Sequence, residues 1–534
     1  MVRFYMNAAT PVEFGLRLPY APARVAGGLA MLLLAGCAAV PDAGPTPVPL
    51  AAETIAASHS FAAGDQGVND QGTGNHGQWP ADAWWTAYRD PQLDSLIAEG
   101  LANSPDVAAA AARLRKADAL AQQAGAALLP RLDGAGAIGL TKQSYNLGFP
   151  PQFVAFLPRG WKGEGQLDLT LGFDLDLWGR NRAALAAASS ERQAAAVDAQ
   201  QAALMLTTSI AQTYADLGAA LALRDNRTAA LDSRTAAQTL TDQRMREGME
   251  TRGSLRTAQA QADSARVDLL SADRAVLVRR HQLAALLGAG PDRGLTIAAP
   301  RLAPLGLHEL PVDVTTALIG RRADIVAART RLEAAASRIK VARADFYPAL
   351  RLSGLVGIES LGLSQLFTSG STYGTVGPAV SLPLFHGGAL RGAYRGARAD
   401  YDLAVADYDR IVVTAYRQVA DAVTDRNLLA RQLTDARAAA SASEEANAIA
   451  IARYRGGLSN YLDALIVLDR LVQTREALVM TDAAYRTADI DLIRALGGGF
   501  GGGGIAAGSA ANASPQALPA TARPLLTAKD YSHE

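Results

Sequence analysis

The strongest periodic signal in the chain is a strict alternation. Leu167, Leu169, Leu171, Phe173, Leu175 and Leu177 interleave with Asp168, Thr170, Gly172, Asp174 and Asp176. Successive side chains of an extended strand point to opposite faces, so this stretch predicts one apolar face and one acidic or small face. Leu350, Leu352, Val356 and Ile358 repeat the pattern more weakly, as do Val376, Val380, Leu382 and Leu384. Strands of about ten residues that alternate in this way are the signature of a membrane β-barrel. A half-buried soluble sheet shares the pattern but usually brings more strands at regular spacing. Trp178 and Phe385 end two of the segments, where an interfacial aromatic girdle or an ordinary structural aromatic would both fit.

A second period is helical. Ile210, Tyr214, Leu217 and Leu221 step by four, three and four, and so do Val412, Tyr416, Val419 and Val423. That is coiled-coil spacing. These runs belong to a sequence written twice. Ser104–Gly139 matches Arg322–Gly357, with Pro130 against Pro348. Leu175–Trp178 then matches Leu382–Phe385, Tyr214 matches Tyr416, and Leu286-Leu287-Gly288 matches Ala495-Leu496-Gly497. Each copy predicts a first helix (Ser104–Leu129; Arg322–Tyr347) stopped by proline, which cannot continue a helix. Two strands follow, then a long helix (Ala183–Arg246; Leu390–Arg455), a glycine turn and a last helix (Arg252–Leu287; Ser459–Leu496). The first long helix would span about 96 Å, and its two shorter companions, end to end, roughly 93 Å. Two short helices stacked end to end would thus match one long helix. These lengths fit a solid coiled coil as well as a hollow bundle. Four strands cannot close a barrel, since the smallest bacterial barrels have about eight. Two copies of the chain would supply eight strands, and three would supply twelve.

Composition narrows the chemistry. Lysine plus arginine equal aspartate plus glutamate, 51 each, so bulk charge does not mark a nucleic-acid binder. Six histidines are scattered, none at metal-ligand spacing beside another, and no nucleophile elbow or phosphate-binding loop appears. We expect no enzyme activity, no cofactor and no metal site. The single cysteine, Cys37, excludes a disulfide framework. Arg17 and Arg24 precede a short apolar run that ends Leu34-Ala35-Gly36-Cys37, the layout of a secretory signal over residues 1–36. The run is too short to span a bilayer. Residues 37–78 and 498–534, rich in Pro, Ala, Gly and Ser, predict a flexible tether and a disordered tail.

Several strings carry a family resemblance: WWTAYRDPQLDSLIAEGL (84–101), RRADIVAA (321–328), LPLFHGG (382–388) and RYRGGLSNYLDAL (453–465). Their order, the duplication and the LAGC string, which resembles a bacterial lipobox, make the chain similar to the TolC-like outer-membrane factors of the NodT type. The resemblance implies a mainly α fold with a transmembrane β-barrel. Three chains would close twelve strands, continuous with a long helical periplasmic barrel and a mixed equatorial belt. Residues 79–103 and 289–320 would build that belt, with repeats at 104–288 and 321–497. It implies an outer-membrane location, a lipid on Cys37, and a passive exit duct for drugs or metal ions. A periplasmic adaptor and an inner-membrane pump would be its partners. A protein-secretion duct and a helical periplasmic adaptor or scaffold are the alternatives.

The same resemblance places functional residues. Gly248-Met249 and Gly457-Leu458-Ser459 would form the adaptor-contacting tips, where plain helix capping by glycine is also expected. Leu462 and Asp463 would fall at the periplasmic gate, with Ser459 able to cap their helix. Family members often carry an aspartate one turn later, where this chain has Ile466. The departure favours an apolar ring of Leu462 side chains as the barrier, flanked by Asp463 carboxylates that attract cations. On the strand, Asp168, Asp174 and Asp176 would face the water-filled lumen.

Overall fold

A computed structural model describes residues 40–42, 44–51, 54–57, 60–61, 78–146, 150–303, 311 and 314–500. The leader, Cys37 and the tail beyond Phe500 lie outside the described residues. A 3-10 turn at Trp84–Tyr88 leads into α1 (Pro91–Asn103). Asp90 opens that helix by accepting from the N–H groups of Gln92 and Leu93, while Pro91 sits where no N–H is needed.

The first repeat is α2 (Pro105–Ala126), β1 (Arg131–Thr141), β2 (Lys162–Asp174), α3 (Arg180–Arg246) and α4 (Arg252–Leu286). A single turn at Asp292–Leu295 and α5 (Val314–Arg321) join it to the second repeat. That repeat is α6 (Ala323–Ala344), β3 (Ala349–Leu361), β4 (Thr372–Ser381), α7 (Ala389–Arg455) and α8 (Tyr461–Ala495). The matching helices have identical lengths: 22 residues in α2 and α6, 67 in α3 and α7, 35 in α4 and α8. Observed ends fall within three residues of those expected from sequence.

Gly179 and Gly388 precede the long helices and Gly248 and Gly457 follow them, both pairs 209 residues apart. The Tyr214–Tyr416 match is therefore displaced by seven residues, since residue 207 is the positional equivalent of Tyr416. Seven residues are one heptad, so both rings stay on the core face and both are buried. Core periodicity hides the shift.

The last helix of each repeat meets the first end to end, as the lengths predicted. Gly288 and Gly497 end α4 and α8 with φ of 70° and 95°. A Cβ on either would overlap the carbonyl of Asn103 or Arg321, just before α2 or α6. Glycine alone permits both the dihedral and the approach. Arg322 fastens the second junction by donating to the Ala495 carbonyl at 3.0 Å and to Asp324 and Gln418. Each stack lies along its long helix, and α3 packs in addition on α6 and α8. At 1.5 Å per residue the long helices reach about 100 Å.

The segments that precede each repeat wrap these junctions. Trp84, Tyr88, Leu93, Leu96 and Ile97 are buried against Ile210, Tyr214, Leu217, Leu283 and Leu287. Val314 and Leu318 of α5 are buried against Val412, Tyr416 and Val419. The four strands form one antiparallel sheet in chain order, β1-β2-β3-β4, beyond the far ends of α2, α3, α6 and α7.

Two expectations need correction. The alternation Leu167–Leu177 overruns β2, which ends at Asp174, because Asp176 takes a left-handed φ of 43° and turns the chain into α3. The stretch 37–78 is not a free tether throughout. Arg398 Nη2 donates to the Gly44 carbonyl at 2.6 Å, and the Leu50 N–H donates to Asp409 at 2.8 Å. Phe61 is buried and stacks on Tyr416, with ring centres 6.0 Å apart. Pro-rich composition conceals these isolated anchors along α7.

Candidate functional site

The sheet separates two chemistries. Cross-strand register aligns Leu132 with Leu171, Leu171 with Gly354 and Gly354 with Val376. On that face stand Ile138, Leu140, Leu167, Leu169, Phe173, Val356 and Val380, and most of them are exposed in the single chain. The opposite face carries Asp133, Glu164, Gln166, Asp168, Asp174, Arg351, Glu359 and Tyr373. Asp168 accepts from Gln166 Nε2 at 2.6 Å and from the Tyr373 hydroxyl. Gly357 lies beneath this pair, where a Cβ would overlap the Asp168 carboxylate. Asp174 stands 3.6 Å from Arg351 Nε and accepts from the Asp176 N–H at 3.0 Å.

Asp176 does not belong to the strand's polar face. Its carboxylate accepts from the N–H groups of Asn181 and Arg182 at 2.8 and 3.0 Å, in the first turn of α3, and pairs with the Arg182 side chain. Burial works against its charge, but these donors hold its carboxyl below the usual range. It is the starting cap of the long helix.

At the opposite end of the molecule the two hairpin turns are built alike. The Met249 N–H donates to the Arg244 carbonyl and the Gly248 N–H to Met245. The Leu458 N–H donates to Arg453 and the Gly457 N–H to Tyr454. This paired six-to-one and five-to-two bonding, with glycine at φ 74° in both turns, is a Schellman motif. Its hydrophobic positions, Met249 and Leu458, are 54% and 74% exposed, so they are presented outward instead of packing back on the helix. Glycine capping is thus present, and the apolar presentation is additional to it.

The cap of α8 is Asn460, whose side chain accepts from the Asp463 N–H at 2.9 Å. Ser459, expected in that role, sits one residue too early and its buried hydroxyl has no partner. The first turns of α8 have two faces. Tyr461, Ala464 and Leu465 are buried with Tyr454 of α7 and with Ala258 of α4 in the neighbouring hairpin. Leu462, Asp463 and Ile466 point away and are exposed, with Leu462 and Ile466 one turn apart on one stripe.

Several contacts have no signal in the sequence because their partners lie far apart in the chain, from 63 residues for Arg426 and Asp489 to 401 for Tyr88 and Asp489 among those held by hydrogen bonds. The Tyr454 hydroxyl is 3.0 Å from Thr241 Oγ1, and Arg244 covers the Tyr454 ring at 5.0 Å. Arg234 pairs with Asp469 at 2.8 Å. Arg227 is shared by Glu476 at 2.7 Å and Asp268 at 3.0 Å, linking α3, α8 and α4. Burial pushes the Glu476 carboxyl above its usual range despite Arg227. Beside the Trp84–Tyr88 turn, Arg426 and Asp489 form a buried pair at 2.9 Å, with the Tyr88 hydroxyl donating to Asp489 at 3.4 Å.

Residues 96–289 and 315–498 match the family described as outer membrane efflux protein. The fusaric acid resistance protein FusA of Burkholderia cepacia is 35% identical, over 69% of this chain and 68% of that protein. The multidrug resistance outer membrane protein MdtP of Escherichia coli O6:H1 is 30% identical, over 79% of this chain and 87% of its own length. The crystal structure of the outer membrane protein VceC from Vibrio cholerae superposes with a TM-score of 0.74 and 40% identity, covering 79% of this chain and all of that one. The two family matches cover the two repeats, each of which carries half of the sheet and one tip, and the chain belongs to the outer membrane efflux protein family.

Proposed function

We propose that the chain is one protomer of a homotrimeric exit duct for small molecules, passive in itself and driven by an inner-membrane pump through a periplasmic adaptor. One observation carries the reading: a four-stranded sheet with an apolar face, a charged face and two unpaired edges, β1 and β4. A lone edge in a bilayer leaves backbone groups unsatisfied, so neighbours must pair with both edges and close a barrel. The helices support the same closure. α3 packs on helices of both repeats, whereas α7 lacks the equivalent contacts to α2 and α4. A neighbouring protomer would supply them.

The names of FusA and MdtP point to organic acids and drugs as cargo. The exposed Met249 and Leu458 are the adaptor contacts, and Leu462, Asp463 and Ile466 are the gate. A lipid on Cys37 fits the path of the docked segment. Gly44 reaches α7 at Arg398, near its membrane-side start, and seven extended residues cover about 23 Å, enough to return Cys37 to the bilayer surface. Native mass spectrometry of the purified protein tests the trimer, with a monomer or dimer refuting it. A deletion strain should become sensitive to organic acids or drugs. Unchanged susceptibility across drugs, organic acids and metals would refute the efflux role.

A further inference from the structure

The turn between β3 and β4, residues 362–371, lies at the end of the sheet away from the helices. Two short 3-10 turns, Leu363–Gln365 and Ser369–Ser371, fold it compactly. The Gly362 N–H donates to the Gly163 carbonyl at 2.6 Å and ties it to the start of β2. A Cβ on Gly163 would lie 3.3 Å from Leu363 Cγ, and one on Gly165 would lie 3.0 Å from the ends of both Leu363 and Leu366. Gly163 and Gly165 share a face with Leu167, Leu169 and Leu171, because side chains alternate along the strand. The loop's leucines therefore cover the apolar outer face and not the charged one. Leu366 is buried there, while Phe367 is 80% exposed.

The height of the apolar band explains the arrangement. The large apolar side chains of β2 run only from Leu167 to Phe173, about 20 Å along the strand at 3.3 Å per residue. Tilted by about 40°, they cover roughly 15 Å of a band that is about 25 Å tall in outer-membrane barrels. On β2 the next two levels are Gly163 and Gly165, beside Leu140 and Ile138 of β1 on the same apolar face, and the folded loop covers the glycines. Part of its backbone is satisfied internally, which suits a position at the edge of the hydrocarbon, where water and headgroups can reach the remaining polar groups. The N–H groups of Gln365, Leu366, Thr368 and Ser371 all donate to carbonyls within the loop. The hydroxyls of Thr368 and Ser371 both donate to the Gln365 carbonyl, at 2.8 and 2.7 Å.

We propose that residues 362–371 are a lipid-facing flap. Leu363, Leu366 and Phe367 extend the apolar band and contact acyl chains of the outer leaflet, instead of covering the pore mouth. The inference rests on the sheet being the membrane span, and the test separates the two. In a Cys37→Ser background, full-length protein carrying Phe367→Cys, Leu169→Cys or Thr375→Cys is spin-labelled and reconstituted into bilayers. Collisions with oxygen and with a water-soluble nickel chelate are then compared. The Phe367 and Leu169 labels should favour oxygen, and the Thr375 label nickel. A Phe367 label open to nickel while Leu169 stays in lipid would overturn the flap alone. A Leu169 label open to nickel would overturn the membrane span and the flap with it. Phe367→Ser should leave single-channel conductance unchanged, and a marked rise would place the loop over the pore and refute the proposal.

Discussion

Leu171 and Thr170 are neighbours on β2 with opposite surroundings. Leu171 stands among Leu132 and Val376 on the apolar face, and Thr170 on the face of Asp168. A charge on the lipid face near mid-membrane costs about 2–4 kcal/mol. Leu171→Arg should abolish insertion of the assembled protein, and Thr170→Arg should be tolerated. Heat-modifiable mobility of the outer-membrane fraction reads the difference, and equal tolerance would refute the orientation of the sheet. At the other end, Leu462→Ser should raise resting conductance in planar bilayers and Asp463→Asn should mainly reduce cation selectivity. An unaltered Leu462 variant would move the barrier elsewhere. The alternation at Leu167–Phe173 was legible because a strand's period is two residues. The role of Asp176 was not, because a cap depends on the turn that follows and not on the period.

At the scale of the element, the helices were legible from their punctuation. Pro130 and Pro348 stop the short helices, and Gly248 and Gly457 stop the long ones. What joins the hairpins was not legible, because Arg227, Glu476 and Asp268 are distant in sequence. Their electrostatics give a signed prediction. Burial raises the Glu476 carboxyl, so the folded protein holds this proton more tightly than the unfolded chain does. Ionising Glu476 therefore costs stability at neutral pH, and that cost disappears as pH falls through the carboxylate range. Glu476→Gln should raise the melting temperature at neutral pH, with the gain shrinking on acidification. A lower melting temperature at neutral pH would show that the Arg227 pair outweighs burial.

For the whole molecule, the fold was readable from the duplication, while the path of residues 44–61 along α7 was not. If Cys37 carries a lipid, Cys37→Ser should abolish incorporation of labelled palmitate yet leave the protein in the outer-membrane fraction, because the proposed barrel would hold it there. A wild-type protein that takes up no label would dispose of the lipoprotein reading. Replacing Phe61 with alanine removes the stack on Tyr416 and should make the docked segment more susceptible to limited proteolysis. An unchanged digestion pattern would show that the hydrogen bonds to Asp409 and Arg398 suffice.

The equal lengths of the paired helices carry an evolutionary consequence. A wall made of two copies has to end level at both of its tips. Seven residues lost from α3 alone would lift one tip by about 10 Å and leave the other in place. The same loss made in α3, α4, α7 and α8 together would shorten the duct and keep its rim flat. Depth can therefore drift only in concert, as two clock hands geared to one wheel. A unilateral heptad deletion should prevent trimer assembly, and the matched deletion should restore it, measured by native mass spectrometry of both proteins. Assembly of the unilateral variant would show that the two copies are free to diverge in length.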